Sequence, residues 1–451
     1  MGERPALTRG FARRSITRSV GVSTACILWL VFGFSSLSAQ DINEAVTMED
    51  LGFTERLAAG ARAAGMAGAY TSAGDDVYAL FYNPAGLARV RRIDFSIGFQ
   101  RSVGDVKNTF YGSPGQTEFS TTTLDAVAAA YPVPTYRGSF VVAGGVQRML
   151  SSELDLLNDG YNSSTDTFDR YLLQQSGSAY SYAIGVGYDI SPLISLGLTG
   201  FLMDGTINAL TQFNVDYPGP LQTGELETET VVDDAEVDLD GYGMVLGIQY
   251  HPHRLLHFGF AVTTPIPIDL EGGAAQQTVE YLYNYQDNFY EDQFIIDAEY
   301  TLPFRFDMGA SFTLPNLVVD IDAGYSDWEQ AKANDVRLKD ENLQSVFRSV
   351  LDLRIGAELL VPNTPLRVRA GYALTPYALE RLQADRITGA DLQEADIDTE
   401  RQTYAAGAGL LLNGVFMLDA SYEYQTGKRS IPTLVDERTV QKVVVTGSYR
   451  F

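Results

Sequence analysis

Lys442-Val-Val-Val-Thr-Gly-Ser-Tyr-Arg-Phe451 ends the chain, and its alternation decides the fold. Val443, Val445, Tyr449 and Phe451 fall on one face at a spacing of two, while Lys442, Thr446, Ser448 and Arg450 fall on the other. Successive side chains of a strand point to opposite faces, so this is a strand with one apolar and one polar side. Closed by an aromatic residue, it reads as the last strand of an outer-membrane β-barrel, with Phe451 as the signal expected to engage the barrel-assembly machinery.

The pattern recurs upstream. Ile93, Phe95, Ile97 and Phe99 alternate with Asp94, Ser96, Gly98 and Gln100. Leu351, Leu353, Ile355 and Leu359 alternate with Asp352, Arg354, Gly356 and Glu358, and Leu418 and Tyr422 face away from Asp419 and Glu423. Short turns fit at Pro132–Tyr136, Ser191-Pro192, His251–His253, Leu314–Asn316, Pro362–Thr364 and Asn413-Gly414. Seven longer connections alternate with them, near residues 104–116, 151–177, 207–238, 271–297, 329–346, 375–400 and 428–437. Thirteen connections predict an all-β, antiparallel transmembrane barrel of about 14 strands over residues 93–451, with short turns on the periplasmic side and long loops outside.

Charges on the lipid face at mid-depth would cost roughly 2–4 kcal/mol each, so they belong in the lumen. The expected lumenal set is Asp94, Arg305, Asp307, Asp320, Asp322, Asp352, Arg354, Glu358, Arg367, Arg369, Asp419 and Glu423, a mixed-sign network. Acidic residues concentrate at Glu153–Asp169, Glu225–Asp240, Asp287–Glu299 and Asp385–Glu400, expected as solvated loops facing lipopolysaccharide and able to meet divalent cations.

At the other end, Arg4, Arg9, Arg13, Arg14 and Arg18 precede an apolar run from Val20 to Phe34, with a cleavage point after Ala39. Residues 1–39 read as a secretory signal peptide, because the run is too short to span a bilayer. Its removal takes away five basic and one acidic side chain, moving the net charge from −25 to −29. Such a chain repels phosphates, so nucleic acid is excluded as a partner. The single Cys26 leaves with the signal.

Residues 40–92 do not alternate and are expected to tuck into the barrel as an N-terminal hatch, or plug. Leu57–Met66 is Ala-rich and suits a short helix, and Gly65 and Gly68 permit close backbone approach. Asn83-Pro84 sets a sharp turn, since Pro fixes its own φ and pushes Asn83 out of the helical region.

The run Gly60-Ala-Arg-Ala-Ala-Gly-Met-Ala-Gly-Ala-Tyr70, then Asp75-Asp76 and Tyr82-Asn-Pro-Ala-Gly-Leu87, resembles the plug signature of the FadL family of outer-membrane transporters. Leu302-Pro303, Tyr325-Ser-Asp-Trp328 and Arg369-Ala-Gly371-Tyr372 with Thr375-Pro376 are similar in order and position. The resemblance implies passive uptake of long-chain fatty acids or other hydrophobic compounds, gated by a hatch around Asn83, Pro84 and Ala85. It further implies a lateral exit at a kink in the third strand, for which Gly144-Gly145 is the candidate. The hatch also resembles that of type IX secretion shuttle barrels, so a secretion or assembly partner is the alternative.

Tyr281, Tyr283, Tyr285, Phe289 and Tyr290 form an aromatic-rich candidate for the ligand's first landing place. His251, His253 and His257 are the only histidines, and Pro252 breaks the spacing a metal site would need. Neither a serine nucleophile elbow nor a zinc-protease motif occurs. No catalysis, cofactor or metal is expected.

Overall fold

A computed structural model describes residues 52–451 apart from 111–112, 164, 335, 338–344, 380, 384–393, 397–400 and 432–433. The expected signal peptide, the first part of the expected hatch and most of the acidic stretch Asp385–Glu400 therefore lie outside the described residues.

Fourteen antiparallel strands close into one barrel. They are β1 (Asp94–Phe110), β2 (Ser113–Val133), β3 (Phe140–Ser151, resuming as Leu154–Asn162), β4 (Thr167–Ser191) and β5 (Ile194–Asp216). Next come β6 (Leu226–His253), β7 (Leu256–Thr263 and Ile266–Leu282), β8 (Asn288–Leu302 and Arg305–Thr313) and β9 (Leu317–Asp327, resuming as Lys332–Ala333). The wall finishes with β10 (Ser349–Leu360), β11 (Leu366–Leu374), β12 (Arg401–Leu412), β13 (Phe416–Ile431) and β14 (Leu434–Arg450).

Closure comes from β1 pairing with β14, from Asp94 opposite Arg450 to Phe110 opposite Leu434. The last ten residues behave as their alternation requires: Val443, Val445 and Tyr449 are exposed, whereas Val444, Thr446 and Ser448 are buried in the lumen. Five of the six expected short turns fall at a break between strands; His251–His253 instead ends β6, and the chain reverses at Arg254-Leu255. Asn413 and Gly414 both sit at positive φ (51° and 70°), the conformation that lets a two-residue turn match strand twist. Exposed Leu202, Met244, Met308, Leu353 and Leu418 ring the outside. So continuous an apolar surface belongs against lipid, and the barrel sits in the outer membrane.

The long connections differ from expectation. β6 runs for 28 residues and β4 for 25, where about 9–11 suffice to cross. The acidic stretch Glu225–Asp240 is mostly strand rather than loop. Asp234, Glu236, Asp238 and Asp240 are exposed and alternate with buried Ala235, Val237 and Leu239. Backbone pairing with β5 and β7 continues through it, so the charges stand on the wall above the membrane.

A segment seated in the barrel and the cavity beside it

Residues 53–90 lie inside the wall. Two helices of four residues, α1 (Ala61–Ala64) and α2 (Ala79–Tyr82), and a 3-10 turn over Pro84–Arg89 are joined by tight bends, with Ala67 and Gly68 at positive φ. Asn83 is extended (φ −146°, ψ 100°), as a residue before proline should be. Its side chain caps the 3-10 turn by accepting from Ala85 N at 3.2 Å, and donates to Thr71 O and Ile248 O at 2.9 and 3.1 Å. One amide thus ties the turn to its own segment and to β6.

The wall supplies the partners that so short a fold lacks. Asp322 on β9 accepts from the N–H groups of Tyr70 and Thr71, each at 2.8 Å. Asp320 accepts from Ser72 Oγ at 2.6 Å and Ala73 N at 3.1 Å. Asp125, squeezed out of register in β2, accepts from Gly60 N at 2.8 Å, and Thr446 Oγ1 on β14 accepts from Ala61 N at 2.9 Å. Arg62 forks onto Glu358, which also holds Arg367 and Arg369. Burial works against the Arg62 charge, yet Glu358, Asp75 and Asp76 hold its pKa well above the ordinary value.

Wall glycines let the segment's backbone touch the strands. A Cβ on Gly197 would collide with Pro84 and Ala85, one on Gly247 with Asn83, and one on Gly371 with Met66 and Ala67. A Cβ on Gly65 would likewise lie 3.2 Å from Gly407 Cα, tighter than ordinary contact. The expected residues Gly65, Gly68, Asn83, Pro84 and Ala85 are therefore brought together in one lumenal unit. The expected charge network is also in place: Arg305 pairs with Asp307 at 2.9 Å and with Asp352, and Arg369 reaches Asp419 at 2.6 Å.

Beside this segment lies a cavity of about 150 Å³, with an apolar side made by Phe53, Leu80 and Phe81 of the segment and Phe201, Ile266 and Trp328 of the wall, and a charged side at Arg56, Arg305 and Asp352. A smaller polar cavity of about 50 Å³, with Arg354, Arg401 and Lys442 in its lining, adjoins it. Glu55, Arg56, Leu57 and Tyr82 line both. Arg56 is held by Asp307 at 2.8 Å, with its guanidinium 5.2 Å from the Tyr82 ring. Glu55 pairs with Arg401; burial alone would raise its carboxyl, but Arg401, Lys442 and Arg438 pull it down to about 2. Neither this dividing pair nor Asp125 as a wall acceptor carries a local signal in the alternation.

Two expectations place differently. Gly144 and Gly145 keep partners on both sides, Ala129 and Ala128 on β2, Ile184 and Ala183 on β4. Gly145 is needed for close packing, since a Cβ there would lie 2.7 Å from Val127 O. The β2–β3 ladder ends after Gln147, and β3 shifts register between Arg148 and Leu150. Met149 and Leu150, beyond that point, line the cavity. Tyr281, Tyr283, Tyr285, Phe289 and Tyr290 are exposed near the tip of the β7–β8 hairpin. That tip is about 50 Å along the strand from Ile266 at 3.3 Å per residue, too far to touch the cavity.

A closed barrel with a buried N-terminal segment and a cavity in its lumen has the architecture of an outer-membrane channel. Over residues 53–450 the chain belongs to the family described as outer membrane protein transport protein (OMPP1/FadL/TodX). Its fold is similar to that of a Pseudomonas aeruginosa FadL homologue (TM-score 0.62, 15% identity, 88% of this chain and 99% of that one). It is also similar to the toluene transporters TodX of P. putida (0.62, 14%, 88% and 99%) and TbuX of Ralstonia pickettii (0.56, 16%, 87% and 98%). No curated protein sequence matches the chain.

Proposed function

We propose that the protein is a passive channel for neutral hydrophobic molecules about the size of one aromatic ring, with residues 53–90 as its hatch. The observation that carries this is the apolar side of the cavity, formed by Phe53, Leu80, Phe81, Phe201, Ile266 and Trp328. A void of about 150 Å³ lined by Leu, Ile and Phe is enough to take benzene. The cations at its edge are already committed, Arg56 to Asp307 and Arg305 to Asp307 and Asp352, so a carboxylate would have to break a pair to bind. Burial of each further CH₂ contributes about 0.8 kcal/mol, so affinity rises with ring substituents until the cavity is full. The end of the β2–β3 ladder at Gln147, beside Met149 and Leu150, supports a sideways exit through the wall. The toluene-transporter likeness supports the same substrate class over the secretion reading.

The test is uptake of radiolabelled toluene and palmitate by cells carrying the protein. Phe201→Trp, which fills the cavity, should lower toluene uptake several-fold. Equal uptake by the variant, or transport of palmitate in preference to toluene, would overturn the reading.

A further inference from the structure

The wall has a second interruption, on the side away from β3. On β8, Pro303 and Phe304 have no ladder partner on either side. Towards β7 the pairing stops at Arg305 with Thr263 and resumes at Leu302 with Ile266, leaving Thr264-Pro265 opposite Pro303-Phe304. The register puts Pro265 directly across from Pro303, two residues without an N–H to give. Thr264 turns its N–H to Met244 O on β6 instead, at 3.0 Å. Towards β9 the pairing stops at Arg305 with Ser326 and resumes at Thr301 with Lys332. Leu302–Phe304 thus face the longer stretch Asp327–Ala331, which leaves the sheet as a 3-10 turn over Trp328–Gln330.

Proline inside a sheet is confined to edges and bulges, and a closed barrel has no edges of its own. Here two prolines create a local edge where lumen and lipid are one strand apart. The cavity lining includes Thr263, Ile266, Leu302, Pro303 and Trp328, every side of the gap. Trp328 is buried against Phe347, ring centroids 5.7 Å apart, and closes the gap from within. Phe304, Phe306 and Met244 are exposed on its outer lip.

Depth fits passage into lipid. From Thr313, at the periplasmic turn, to Phe304 is ten residues, the length of one membrane crossing at about 9–11 residues. Just outside that level Asp204, Asp240, Asp269 and Glu299 stand directly opposite one another across β5 to β8. Such a row repels anions and leaves neutral solutes unaffected.

We propose that this proline seam is a second lateral port, through which a neutral hydrophobic solute passes between the cavity and the outer leaflet when Trp328 swings aside. The proposal rests on the transport reading above.

The test uses the chain starting at Gln40, which has no cysteine and in which Trp328 is the sole tryptophan. Thr264→Cys with Phe304→Cys bridges the seam. Phe260→Cys with Met308→Cys bridges the same two strands where the ladder is intact. Oxidation should lower toluene uptake several-fold in the seam pair only, with recovery on reduction. Equal uptake by the two oxidised pairs would sink the port and leave the channel standing. Uptake by neither, before or after reduction, would remove the transport reading and the port with it. Independently of assembly of the cysteine variants, lipids brominated near the carbonyl should quench Trp328, and more strongly in Phe304→Ala. Unchanged quenching in that variant counts against the port.

Discussion

Arg62 of the lumenal segment grips Glu358 of the wall with two hydrogen bonds, Nε to Oε2 at 3.0 Å and Nη2 to Oε1 at 3.1 Å. The two residues are 296 positions apart, and both are buried or nearly so. Removing Arg62 leaves Glu358 to Arg367 and Arg369 but takes the cation from Asp75 and Asp76 and unties the segment from the wall, at a cost below the roughly 3–5 kcal/mol of a fully stranded buried charge. Arg62→Met should therefore strip hydrogen-exchange protection from the amides of residues 61–89 while β10 to β14 keep theirs. Unchanged protection in the segment would show that the pair is not its anchor.

Asp322 is the second anchor, and its loss has a different signature. Asp322→Ala leaves the N–H groups of Tyr70 and Thr71 buried without an acceptor, roughly 1–3 kcal/mol for each. The lumen should leak, so cells carrying the variant should become sensitive to a large polar antibiotic that the parent excludes. Parental resistance would argue that the seat does not depend on this carboxylate.

Close approach gives a prediction with an internal control. Gly197→Val drives a side chain into Pro84 and Ala85, whereas a Cβ on Gly200 of the same strand meets nothing within 4 Å. The first substitution should displace the Asn83-Pro84 turn and lower the unfolding temperature, and Gly200→Ala should do neither. Similar melting of the two variants would mean that the segment is not pressed on the wall.

Acid should act through Glu55. Its carboxyl is held at about 2 in the folded protein against an ordinary value near 4.5. A depressed carboxyl stabilises most above its ordinary value, and that contribution fades as pH falls through the folded one. Between about pH 4.5 and 2 the contact with Arg401 should weaken, raising exchange at residues 53–58 before the barrel responds. Glu55→Gln should remove this pH dependence, which exchange measured at both ends of the window will show.

The barrel was legible because its signal is repeated. Fourteen strands carry the same period, and turn residues such as Asn413-Gly414 mark where each pair reverses. Lumenal charges followed from the same alternation, as Asp320 and Asp352 show. The upper wall was misread for a chemical reason: acidic residues favour solvent, and at Asp234 to Asp240 they meet it from a strand as readily as from a loop. The seat of the lumenal segment was only half legible. Asn83 announced its turn, because the Asn-Pro restriction is local. That Asp322 would meet Thr71, 251 residues away, depends on where a closed sheet curves, which no local pattern encodes. The glycines misled in the same way. Gly144-Gly145 has the composition of a kink, but the ladder is undisturbed there, and it is Pro265 and Pro303 that interrupt another part of the wall.

The bond from Ala61 N to Thr446 Oγ1 spans 385 positions and joins one of the earliest parts of the chain to its final strand. The segment's seat is therefore complete only when β14 has paired with β1. Until β14 arrives, Ala61 and Ala64 lack the Val444 surface they pack against. Closure and filling are therefore one event: the strand that shuts the wall also completes the lumen, and a chain lacking those ten residues would lose both at once.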